Sequence, residues 1–172
     1  SFDYEVWEDS IKGDQLRAIY PAAKPNGASA AVTFTEHNAN GYLDLVSGTA
    51  DDGYAGQGVG MNWTGDRGVL LEALIYTPSA ITTLKFEIGL SDADDDAGAI
   101  LLKATPTLTA TDCAVLVFDT DDDTNWGAIS AKGGAATATQ DISTIPVAAS
   151  TFYRVGIRVE GDSVSYYING TQ

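Results

Sequence analysis

The sequence predicts an all-β protein, an antiparallel β-sandwich. Three observations carry that expectation. In residues 84–90 (LKFEIGL), Leu84, Phe86, Ile88 and Leu90 fall on one side, Lys85 and Glu87 on the other. In residues 152–159, Tyr153, Val155, Ile157 and Val159 alternate with Phe152, Arg154, Gly156 and Arg158. A period of two is what a sheet with one buried face requires. Turn signals recur every dozen or so residues, as in sandwiches and barrels. No stretch has the apolar stripe of an amphipathic helix.

The composition agrees. Of 172 residues, 44% are hydrophobic and 19% charged, which is globular and not disordered. The length suits one domain with a sizeable core, so residues 1–172 read as a single sandwich domain. Net charge is −15, from 24 acidic and 9 basic residues. A field of that sign repels phosphate backbones and anionic membranes, so neither nucleic acid nor membrane is an expected partner. No apolar run reaches the length of a membrane span.

Taken in order, residues 1–12 (SFDYEVWEDSIK) alternate Phe2, Tyr4 and Val6 with Asp3 and Glu5, an opening strand with one wet face. Residues 21–30 read as a loop, broken by Pro21, Pro25 and Asn26-Gly27. Short strands are expected at 31–35 and 42–46, and a glycine-rich loop at 51–60. Residues 68–76 (GVLLEALIY) form a core strand bounded by glycine and Pro78. Residues 113–118 (CAVLVF) are continuously apolar, as in a strand buried on both faces. Residues 128–139 are small and polar, and 141–147 a loop or edge strand ended by Pro146.

The chain closes on a hairpin. Val164, Tyr166 and Ile168 line one face of a last strand, and Asn169-Gly170 follows, the dipeptide suited to a type I′ turn. Such a turn announces a returning strand, and only Thr171 and Gln172 remain to form one. The expectation is that a longer polypeptide or a neighbouring subunit covers the edge marked by Ser163, Tyr166 and Ile168.

The chemistry-bearing residues are few. His37 is the only histidine and Cys113 the only cysteine, which excludes a Cys/His zinc cluster and an internal disulfide. Cys113 lies in an apolar run, where an inert thiol is expected. There is no G-x-S-x-G elbow for His37 to serve, and no phosphate-binding glycine motif. Two acidic loops invite calcium. Asp92, Asp94 and Asp96 alternate, as do Asp119, Asp121 and Asp123. Neither is an EF-hand: the sixth positions hold Ala97 and Thr124 where glycine is needed, the twelfth Lys103 and Ser130 where glutamate is needed. Another oxygen-ligand calcium site and plain solvated loops both remain open. Trp63 and Trp126 adjoin loops and are the candidates for stacking on a sugar; core packing is the alternative.

Three stretches carry a family likeness: LKFEIGLSD at 84–92, AVLVFDTDDDTNW at 114–126 and FYRVGIRVEGDSVSYYING at 152–170. In that order they resemble concanavalin A-like jelly rolls, the lectin and glucanase sandwich, and in particular the versions in virion proteins of tailed bacteriophages. The likeness covers roughly residues 65–172. It implies a jelly-roll sandwich whose sheet is closed by a strand after the Asn169-Gly170 turn. Glucanases of this fold carry paired glutamates as E-x-D-x-E or E-x-D-x-x-E. No such spacing exists here, and Glu72, Glu87 and Glu160 stand without partners at that offset. The likeness therefore brings no catalysis.

The functional expectation is a non-enzymatic structural protein of a virion surface, a capsid decoration or cement protein. Its partners would be a capsid or tail lattice, or copies of itself. The alternative is a carbohydrate-binding, lectin-like module, either part of a phage receptor-binding structure or secreted, with calcium as its only conceivable cofactor. An inactive glycoside hydrolase is the third reading.

Overall fold

The computed structural model describes residues 22–26, 29–34, 43–49, 53–58, 67–93, 98–137 and 140–172. All regular elements among them are strands, and every pairing is antiparallel. The chain divides into two compact units, Ser1–Asn62 and Trp63–Gln172. The opening strand expected at 1–12 and His37 lie outside the described residues.

The first unit contributes β1 (Ala22–Asn26), β2 (Ala31–Phe34), β3 (Leu43–Val46) and β4 (Tyr54–Gly58). β2 pairs with β3, as the short apolar runs suggest. β1 pairs with β4 from Ala22 opposite Gly58 to Asn26 opposite Tyr54. That corrects two expectations, because both stretches read as loops. Among the described residues each of β1 and β4 has one strand partner, a peripheral position at which Pro25 and the glycines of β4 are tolerated. Breaker residues exclude an interior strand, not a peripheral one.

The second unit is the sandwich. Its strands are β5 (Val69–Tyr76), β6 (Lys85–Ser91), β7 (Ile100–Leu102), β8 (Thr107–Leu108), β9 (Cys113–Asp119), β10 (Asn125–Lys132), β11 (Ala135–Ala136), β12 (Gln140–Pro146), β13 (Phe152–Glu160) and β14 (Ser163–Ile168). One sheet runs β11-β10-β9-β6, with β12 also on β10; the other runs β14-β13-β5. Residues 128–147 are largely strand: the small residues from 128 belong to β10 and β11, and of the loop or edge strand expected at 141–147 the structure has the strand, β12, paired with β10.

The two sheets bury one core. Ala114, Leu116, Phe118, Trp126 and Ala128 enter from the larger sheet, and Tyr153, Val155, Ile157 and Ile168 from the smaller. Phe86 stands edge-on to Trp126 at 5.1 Å, and Trp126 edge-on to Tyr153 at 5.4 Å, the geometry ring quadrupoles favour. The Tyr166 hydroxyl donates to the Ile129 carbonyl at 2.7 Å and so ties β14 to the opposite sheet.

All seven residues of β9 are buried. Its outward side chains Cys113, Val115 and Val117 form a second core with Ile129, Ile100 and Ala110, under the β7–β8 hairpin. Glu87 holds that hairpin down: its carboxylate accepts from Ala99 N at 2.7 Å and Ile100 N at 3.2 Å. Lys85 donates to the Ile100 carbonyl and pairs with Glu87 at 3.1 Å. The polar side of β6 is therefore a brace and not a wet face.

β6 and β9 approach unusually closely at Gly89. A Cβ there would lie 2.7 Å from Val115 Cα and closer still to the Ala114 carbonyl oxygen. Both are backbone atoms of the central strand and have no room to yield. Gly89→Ala is expected to destabilise the protein by about 3 kcal/mol or more, measured by urea unfolding. A loss below about 1 kcal/mol would mean that the ladder between the two strands is loose.

Candidate functional site

The residues singled out in the sequence meet different fates. Trp126 cannot stack on a sugar: it is 0% exposed and sits between Phe86 and Tyr153. Turning it outward would forfeit about 3 kcal/mol of apolar burial. Its Nε1 is buried without a hydrogen-bond acceptor, so the ring serves as an apolar plate. Trp63 lies outside the described residues, as do Asp94 and Asp96. Asp92 is exposed, and its carboxylate accepts from Thr111 N at 2.9 Å and Asp112 N at 3.1 Å, joining two loops.

The second acidic loop has a cation of its own. Lys103 has no exposed side-chain surface, and its Nζ lies 2.6 Å from Asp123 Oδ1 and 3.5 Å from Asp122 Oδ2. The ammonium also donates to the Asn125 carbonyl at 3.2 Å. Asp119 accepts from Asp121 N at 3.1 Å, folding the loop back on itself. Four neighbouring carboxylates repel unless something positive intervenes, and here it is a buried lysine. Among the described residues no group of three or more His, Cys, Asp or Glu side chains is gathered to hold a metal. Sequence spacing alone could not reveal Lys103, because it is 20 residues from Asp123.

Burial works against ionisation of Asp123, but the hydrogen bonds from Lys103 and Asn125 and the ammonium charge outweigh it and hold the carboxyl below its ordinary value. Cys113 moves the other way. Burial first, then the Glu87 carboxylate, push its thiol up to about 11, as an inert core cysteine requires.

What the sequence concealed is the outer face of the three-stranded sheet. β5 was expected to be a core strand, yet its burial alternates strictly. Leu70, Leu74 and Tyr76 on β5 and Phe152 on β13 are each more than half exposed. Tyr76 stands opposite Phe152, with ring centroids 4.6 Å apart and tilted by 47°. Beside them Arg154 donates to Glu72 at 3.1 Å, and Arg158 pairs with Glu160. Two arginines and two glutamates cancel, so this face is neutral on a chain of net charge −15.

The predicted edge residues are together on β14. Ser163 is exposed, Tyr166 half-buried and Ile168 buried, and β14 pairs with β13 through six residue pairs without a bulge. Among the described residues no strand pairs with its other side. The fold and these surfaces define an all-β antiparallel sandwich with one neutral, apolar outer face. Comparison with protein-family models, curated proteins and solved structures found no match to this chain.

Asp123→Asn is expected to cost about 2 kcal/mol, because it takes the nearest carboxylate charge away from the buried Lys103 ammonium. The native carboxyl titrates lower than the unfolded one, so its stabilisation is complete above about pH 4 and drains away as pH falls further. Acid unfolding curves of the variant should consequently be flatter below that pH than those of the parent. Parallel curves would remove Asp123 from the account.

Proposed function

We propose that this chain is a non-enzymatic docking module of the surface of a virus-like particle, a decoration or cement protein built on a jelly-roll type of sandwich. The observation that carries the reading is the apolar row Leu70, Leu74, Tyr76 and Phe152 on a charge-balanced face. Exposed apolar surface of this kind marks interaction sites. The resemblance of residues 84–92, 114–126 and 152–170 to phage virion sandwiches supplies the setting.

Size favours a repeated contact. Three strands of about eight residues present a projected face of roughly 14 by 27 Å, on the order of 400 Å². A stable pairwise interface needs about 800 Å² on each partner. Such a face holds weakly alone and firmly when many copies engage one lattice. The acidic remainder keeps unbound copies apart.

The test is location. Purified particles analysed by mass spectrometry and electron microscopy should contain the protein, and Leu74→Glu should release it without changing its melting temperature by more than a few degrees. Absence from particles, or retention of the variant, would sink the reading.

A second reading rests on the Tyr76–Phe152 pair. Two exposed rings flanked by the Arg154–Glu72 pair offer a sugar both stacking surface and hydroxyl partners. A glycan array is expected to give binding that Phe152→Ala abolishes. No signal at millimolar neutral oligosaccharide would end this alternative.

A further inference from the structure

The β7–β8 hairpin is fastened unlike the other strands of the second unit. Those belong to one of the two sheets by ladder bonds, whereas β7 and β8 pair only with each other among the described residues. Among those residues no backbone–backbone bond joins 99–108 to either sheet. The polar attachments run through side chains instead. At one end the Glu87 carboxylate accepts from Ala99 N and Ile100 N, and Lys85 donates to the Ile100 carbonyl. At the other, Lys103 in the turn between β7 and β8 reaches Asp123, Asp122 and the Asn125 carbonyl.

The apolar hold is narrow. Of Ile100, Leu101 and Leu102 in β7 only Ile100 is buried, and the other two are at least half exposed. Just beyond the hairpin the chain is tied to the body again. Thr111 N and Asp112 N donate to Asp92, and the Thr111 carbonyl accepts from Gly134 N. Between these fastenings the hairpin is one body, because Ile100 pairs with Leu108 and the Ala99 carbonyl accepts from both Thr109 N and Ala110 N. A contiguous piece with few buried apolar contacts, and no ladder to its neighbours, is the kind that opens ahead of the whole.

We propose that residues 98–110 are a flap, latched by Glu87 at one end and by Asp123 through Lys103 at the other, that opens as one unit while both sheets stay folded. Beneath it lie Cys113, Val115 and Val117 of β9 and Ile129 of β10. Opening bares them, so the sandwich holds an apolar surface in reserve. The flap is independent of the docking reading, whose exposed residues lie on the other sheet.

Native-state amide hydrogen exchange on the intact chain decides it, with the Cys113 thiol as a second reporter. At neutral pH the amides of Ala99, Ile100, Thr109 and Ala110 should share one protection factor, about tenfold or more below those of Leu116 and Val155 in the central strands. Cys113 should react with dithiodipyridine about tenfold or more faster than global unfolding allows. Asp123→Asn touches none of the four amides, yet it should lower all four protection factors together, by about tenfold or more. Ile157→Val weakens the smaller sheet, so it should lower the protection of Leu116 and Val155 severalfold and leave the four flap amides unchanged. If Asp123→Asn fails to fold, the wild-type hierarchy, the thiol and Ile157→Val still decide. The flap is overturned if the four amides are as protected as Leu116 and Val155, or if Ile157→Val lowers them along with the sheets. It is equally overturned if a folded Asp123→Asn leaves Ala99 and Ile100 unmoved, or if Cys113 reacts no faster than the sheets unfold.

Discussion

Burial of β9 on both faces is the constraint from which most of this sandwich follows. A strand with seven buried residues needs a cover on each side. The smaller sheet supplies one through Tyr153, Val155 and Ile157, and the β7–β8 hairpin supplies the other through Ile100 and Leu108. The hairpin is too short to be stable by itself, so polar groups on β6 hold it in place. That is why Glu87 is spent on two backbone amides and why Gly98 stands beside its carboxylate, where a Cβ would come within 2.8 Å. It is also why β6 carries Gly89, the one residue that lets β9 come so near.

The second unit was largely legible in the sequence, for physical reasons. Residues 113–118 were uniformly apolar because both faces are covered, and residues 84–90 and 152–159 alternated because one side packs on the core. The terminal Asn169-Gly170 turn was legible because few other dipeptides accept two positive φ values. β1 and β4 were hidden by Pro25 and by glycines, which speak about interior strands and are silent about edges.

The candidate surfaces were less legible. Adjacency to a loop made Trp126 look available, yet the loop of residues 120–124 ends just before it and the ring turns inward. Residues 69–76 contain Leu70, Leu71, Leu74 and Ile75, and composition alone cannot say which of a mixed set faces out. Pairing partners decide it: Arg154 and Arg158 opposite Leu74 and Leu70 mark that side as the wet one. The pairing of Tyr76 with Phe152 is likewise a product of register across 76 residues of separation, which no local pattern encodes.

Lys103 in the 119–123 loop has a consequence for the circumstances in which the protein keeps its shape. A diffusible ion would occupy that loop according to its concentration, and a chelator or dilution would empty it. A tethered ammonium has an effective concentration set by the chain, with no equilibrium to shift. The turn at the end of β9 therefore carries its counter-charge into any medium, rich or poor in divalent ions. It answers only to acid strong enough to discharge Asp123.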